Sequence, residues 1–69
     1  MKISARNTLQ GKVINMLSGT VNTEVQLELP GGDTITAVIT KEAAQKLELE
    51  LGKTAYAIID SYNVLIGVD

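Results

Sequence analysis

Between Val21 and Leu29 the chain reads VNTEVQLEL, with Val21, Thr23, Val25, Leu27 and Leu29 at alternate positions and Asn22, Glu24, Gln26 and Glu28 between them. Successive side chains of a strand point to opposite faces, so this period of two predicts a half-buried strand. PGGD follows, and a proline with two glycines is turn chemistry. TITAVIT should therefore return antiparallel, with Ile35, Ala37 and Ile39 toward the core, completing a hairpin. Upstream, LQGKVINML predicts an earlier strand that is apolar on both faces, Leu9, Val13 and Leu17 against Ile14 and Met16, closed by the turn signal Ser18-Gly19. Downstream, TAYAIID and NVLIGV read as two further strands. There Tyr56 and Ile58, and Leu65 beside Val64 and Ile66, are apolar where solvent would be expected. A lone five-stranded monomer exposes these positions.

Between the third and fourth strands lies TKEAAQKLELELGK, where Thr40 can cap a short helix through Ala43, Ala44 and Leu47 and Glu42 suits the positive end of the helix dipole. After Leu47 the pattern changes to alternation, and Gly52-Lys53 turns the chain into the fourth strand. The order is thus three strands, a short helix and two strands. A helix bridging strands three and four predicts an all-β, OB-like five-stranded barrel in one domain, residues 1–69.

Composition sharpens the expectation that the barrel does not stand alone. The 69 residues contain no cysteine, histidine, phenylalanine or tryptophan, so there is no disulfide staple and no thiolate or imidazole metal site. A domain this small leaves apolar surface poorly covered without such help, which leaves self-association as its support. Six basic and eight acidic residues give a formal charge of -2, so no broad face attracts a polyanion. The N-terminus turns polar by Ser4 without an apolar signal region, and no apolar run approaches the roughly 20 residues of a membrane span. These features predict a cytoplasmic protein with neither nucleic acid nor membrane as partner.

Enzyme chemistry is not expected. A nucleophile or acid-base pair needs a titratable partner near its task, and His and Cys are absent. Glu48 and Glu50 share a face and read as a solvated acidic surface. There is no phosphate loop, and Gly31-Gly32 belongs to the hairpin turn. Single-stranded nucleic acid needs aromatic platforms and a basic groove, and two tyrosines on an acidic chain do not supply them.

What remains is SARN, residues 4–7, which sets a hydroxyl, a guanidinium and a carboxamide side by side. A fully deprotonated tetrahedral oxyanion offers only acceptors, so a site selecting it presents only donors: backbone N–H groups, hydroxyls, amide NH2 and arginine. On a strand-like stretch Ser4 and Arg6 share a side, and the small Ala5 leaves the backbone open to close approach. The competing reading is an N-terminal arm whose polar groups meet water.

ISARNTLQGKV, GTVNTEVQLELPGGDTITAVIT and LELELGKTAYAII, with Ser61 and NVLIGV after them, together resemble the molbindins, small molybdate-binding proteins of the transport-associated OB type. The resemblance covers nearly the whole chain. It implies a homo-oligomer, a hexamer built as a trimer of dimers with strand exchange, that holds molybdate, or tungstate, at subunit interfaces for intracellular storage or homeostasis. No organic cofactor is implied, and metal enters only as its oxyanion. Position by position, it implies that Ser4, Arg6 and the backbone around Ala5 and Asn7 grip the ion from one subunit. The Thr40 hydroxyl and Ser61 contribute from another. For Thr40 a helix cap is a compatible second role, because the cap N–H groups face an anion; for Ser61 a turn hydroxyl is the alternative. Additional sites on threefold axes correspond to Thr20, Val21 and Asn22.

Two positions depart from the family pattern. Asp60 stands where a lysine is usual, and Ala43 where a second hydroxyl is common. A carboxylate about 8 Å from a dianion costs around 4 kcal/mol at an effective dielectric near 20, a large part of a micromolar affinity. That cost falls if Asp60 faces solvent or pairs with Lys2 or Lys53. Alternatively, Asp60 can accept a proton from a protonated ligand such as hydrogen phosphate, which a donor-only pocket rejects. A second functional class therefore stays open: a structural assembly domain of the same fold that has lost oxyanion affinity.

Overall fold

The computed structural model describes residues 1–69, and its elements follow the polar pattern closely through the first two thirds of the chain. β1 (Asn7–Ser18), β2 (Asn22–Glu28) and β3 (Thr34–Thr40) form an antiparallel meander, α1 (Lys41–Lys46) follows directly, and β4 (Thr54–Ile59) returns to the sheet. The strand order is β3-β2-β1-β4. β3 and β4 are free edges that do not meet, so the four strands make an open half-barrel rather than a closed one.

The β2–β3 hairpin is built as its residues demand. Val25 faces Ala37 and Leu27 faces Ile35 across the ladder, and Thr23, Val25 and Leu27 are buried while Glu24 and Glu28 are exposed. Ile35 and Ile39 are half-buried. Ala37, expected toward the core, and Val21, expected on the inward face, are exposed, because β3 is a free edge and Val21 lies in the turn before β2. At the turn the Gly32 N–H donates to the Leu29 carbonyl (2.9 Å) and the Leu29 N–H to the Asp33 carbonyl (2.7 Å). Gly32 sits at φ +95°, a left-handed conformation that a side chain would strain. The loop is a tight turn followed by one left-handed residue, a favoured three-residue hairpin connection.

β1 serves two partners in succession. Its first half, Asn7 to Lys12, pairs with β4, and from Lys12 to Ser18 it pairs with β2. A bulge at Ile14, between the pairs Val13↔Leu27 and Asn15↔Gln26, shifts the inward face by one residue. The expectation that Leu9, Val13 and Leu17 share a face is corrected by that extra residue. Val13 is buried and Met16 packs against it, whereas Leu17 points out at 66 % exposure. Gly11 lies where β1 passes from one partner to the other. A Cβ there would come within 2.9 Å of the Glu28 carbonyl oxygen and 3.2 Å of the Leu27 Cβ, so only glycine fits without a shift.

The core is small: Val13, Val25 and Leu27, flanked by Met16, Ile39, Leu49, Ala55 and Ala57. α1 closes one end by burying Ala44. Its last carbonyls accept from the Leu47, Glu48 and Leu49 N–H groups, and just past its end the Lys53 Nζ donates to the Leu47 and Glu48 carbonyls at 3.1 and 3.0 Å.

The expected fifth strand does not form within the single chain, whose sheet has four. Beyond β4 the Asp60 carboxylate accepts the Tyr62 N–H and starts a 3-10 turn over Ser61–Asn63. Val64 is extended, yet no residue after it joins a ladder. Leu65, Ile66 and Val68 are 91 %, 90 % and 93 % exposed. A strand needs a neighbour to satisfy its backbone groups, and within this chain the segment has none. No helix is long and apolar enough to cross a membrane.

Candidate functional site

The SARN arm leads into the first residue of β1, and the antiparallel pairing of Asn7 with Ile59 sets it beside the end of β4. Asp60 and the 3-10 turn follow Ile59 immediately, so the two chain segments converge at this corner. Ser4, Ala5, Arg6, Ile58, Asp60, Ser61 and Tyr62 line one open depression of about 570 Å³. Ser4 and Arg6 are exposed and Ala5 is half-buried. The arm bends at Ser4 and Arg6 instead of running as a strand. Asn7 is half-buried as the first residue of β1 and does not line the depression.

Two serine hydroxyls, the Tyr62 phenol, a guanidinium and the backbone beside a small residue thus line a common space. Asp60 is the one anionic group among them, and its carboxylate can only accept. Its Oδ1 accepts from the Tyr62 N–H at 3.0 Å, which fixes the carboxylate at the edge of the depression. It has no ion pair with Lys2 or Lys53, since the chain's ion pair joins Lys46 to Glu42 at 3.4 Å. Lys53 is instead committed to the carbonyls at the end of α1. Sequence reasoning missed Ile58 and Tyr62 as lining residues. The alternation of β4 contained the signal for Ile58, because it lies two residues before Asp60 on the outward face.

Thr40 belongs to a different corner. It ends β3 opposite Asn22, and its hydroxyl accepts the Ala43 N–H at 3.0 Å, which makes it the cap of α1. The adjacent Lys41 N–H donates to the Val21 carbonyl at 2.8 Å, tying the helix start to the Thr20-Val21-Asn22 turn. Thr20, Val21 and Asn22 are exposed, as is Thr40, while Ala43 is half-buried. This group sits at the end of β1 marked by Ser18↔Thr23, whereas SARN sits at the start of the same 12-residue strand. At about 3.3 Å per residue a strand of that length spans roughly 36 Å when straight. The chain therefore gathers Ser4, Ala5, Arg6, Ser61 and Asp60 together, against the expectation that Ser61 meets the SARN arm from another subunit, and keeps only Thr40, with Ala43, Thr20, Val21 and Asn22, apart from it.

The sequence and fold find clear counterparts. The TOBE domain model matches residues 3–66. A probable molybdenum-pterin-binding protein of Haemophilus influenzae is 45 % identical over 69 residues, which is all of both chains. The structure of MopII from Clostridium pasteurianum superposes with a TM-score of 0.93 at 39 % identity, covering 97 % of this chain and all of that one. The molybdate-bound structure of the cytoplasmic molybdate-binding protein ModG gives a TM-score of 0.95 at 46 % identity, with this whole chain spanning 49 % of it. Matched from Ile3 to Ile66 and along the full length of a Mop-type relative, the chain belongs to the TOBE domain family, among the molbindins.

Proposed function

We propose that this protein binds molybdate, or its analogue tungstate, as the intact oxyanion and performs no chemistry on it. The convergence of Ser4, Arg6 and Ser61 on one depression carries the reading. Four acceptor oxygens carrying two negative charges need hydroxyl, amide and guanidinium donors, and charge-assisted bonds of this kind are about twice as strong as neutral ones. Relatives described as molybdenum-pterin-binding, and a molybdate-bound neighbour, support the same ligand.

The ion is held between subunits of a homo-oligomer. Ser4, Arg6, Ser61 and the backbone at Ala5 and Asn7 come from one protomer, and the Thr40 hydroxyl from another. The separation of Thr40 from the depression within one chain supports a shared site. So does the exposed apolar segment Leu65-Ile66, which a second copy can pair and bury. A hexamer, arranged as a trimer of dimers with strand exchange, satisfies both needs and leaves the Thr20-Val21-Asn22 turns to form additional sites. The role is cytoplasmic storage or homeostasis of molybdenum, a compartment supported by the resemblance to cytoplasmic ModG.

Titration calorimetry of the full-length protein with sodium molybdate tests the reading. Arg6→Ala is expected to weaken binding about 100-fold or more with the oligomer intact, and unchanged affinity in that variant would remove Arg6 from the site. The presence of Asp60 in the depression favours one second reading, an assembly domain without useful oxyanion affinity. No heat at millimolar molybdate would support it.

A further inference from the structure

The depression that gathers the donors also holds an acceptor, and the fold fixes that acceptor in place. Asp60 Oδ1 is occupied by the Tyr62 N–H. Its second oxygen takes part in none of the chain's hydrogen bonds or ion pairs, and Asp60 lines the same space as Ser4, Arg6 and Ser61. Around this carboxylate the arm presents Arg6, Ser4 and Ala5, β4 presents Ile58, and the 3-10 turn presents Ser61 and Tyr62. Arg6 is the one formal cation among them, and the Tyr62 phenol the one other ionisable group.

An ionised carboxylate can only accept hydrogen bonds. Against an oxygen of a fully deprotonated oxyanion it meets acceptor with acceptor and charge with like charge. Against the O–H of a protonated oxyanion it makes a charge-assisted bond while the other oxygens still face donors. Resting on the reading that this depression is the oxyanion site, we infer that Asp60 is a specificity-determining residue that shifts the site toward tetrahedral oxyanions carrying a proton. Inorganic phosphate, which keeps an O–H at neutral pH, is the simplest member of that class; sulfate and molybdate, fully deprotonated there, are the disfavoured comparison. The discrimination is a pairing effect. Asp60 is exposed in the single chain, so the discrimination is expressed where a bound ion displaces water and the site must hydrogen-bond it directly.

The variant that isolates the effect is Asp60→Asn. Its Oδ1 can still accept the Tyr62 N–H, so the turn is kept, while an NH2 donor replaces the free carboxylate oxygen. Calorimetric titrations of the full chain with phosphate, sulfate and molybdate at neutral pH are expected to show the phosphate-to-sulfate affinity ratio falling at least tenfold in Asp60→Asn, with molybdate tightening. If all three anions tighten by the same factor, Asp60 acts through charge alone and the inference is overturned while the oxyanion site stands. If none of the three binds either protein and Arg6→Ala changes nothing, the site itself is wrong, and the inference goes with it.

Discussion

The β2–β3 hairpin and the segment after β4 draw on the same apolar residues, yet one is the core of the molecule and the other lies in solvent. In β2, valine and leucine alternate with polar residues, and the polar side of the sheet can face water while Val25 and Leu27 are buried beneath it. In Val64-Leu65-Ile66 the apolar residues are consecutive, and a run of that kind is buried only when both of its faces are covered. A single half-barrel of 69 residues has one covered face to offer, and β1 and β2 already occupy it. The difference separates what one chain specifies alone from what the proposed assembly would supply. Ser4, Arg6 and Ser61, the proposed oxyanion donors, lie next to the second region, beside β4 and the 3-10 turn.

The contrast is broken most severely in the core. Leu27→Ala removes one of the few buried large side chains and is expected to lower stability by about 2–5 kcal/mol in denaturant titration, whereas Leu65→Ala should leave the protomer's own stability nearly unchanged. Assembly should respond in the opposite way. Placing carboxylates at both Leu65 and Ile66 is expected to move native mass spectra toward smaller species, because buried unpaired charges cost several kcal/mol, while circular dichroism keeps the β-sheet signal. An unchanged oligomer would mean that the tail is not an interface.

Thr40 permits a finer cut, since it holds two roles at once. Thr40→Ala loses the bond to the Ala43 N–H and should cost about 1 kcal/mol of stability. Thr40→Asp keeps a good cap and so should stay within roughly 0.5 kcal/mol of the parent, yet it sets a carboxylate at the proposed ion contact and should abolish molybdate heat. The smallest effect concerns Glu48, which closes α1 at φ +52°, a conformation disfavoured for a residue with a side chain. Glu48→Gly relieves that strain and is expected to stabilise by about 0.5–1 kcal/mol, visible as a modest rise in melting temperature.

Much of this was legible in the sequence because the forces involved are local. PGGD dictated the hairpin, Thr40 capped its helix, and alternation picked out Thr23, Val25 and Leu27 as the inward residues of β2. Two features were not legible. The bulge at Ile14 follows from β1 changing partners, a long-range event without its own sequence signal, and it moved Met16 inward and Leu17 outward. The fifth strand read from NVLIGV does not form within this chain, because composition favours a strand whereas pairing is a property of neighbours, and after the turn at Asp60 the segment meets none. SARN stood out by its donors and Ser61 by family resemblance. Their meeting in one depression depends on the register Asn7↔Ile59, which only the fold supplies.

The central claim, that each ion is gripped by Arg6 of one protomer and Thr40 of another, is tested most directly by complementation. Arg6→Ala and Thr40→Asp chains, in which molybdate binding is expected to be strongly weakened and lost respectively, are coexpressed and the mixed oligomer titrated at a concentration where neither parent variant binds. In a two-fold assembly half of the pairs are mixed, and each mixed pair holds one site with both residues intact, so about a quarter of the sites should recover. Recovery near that level is the predicted result; a mixed oligomer that forms but binds no molybdate would contradict the shared site.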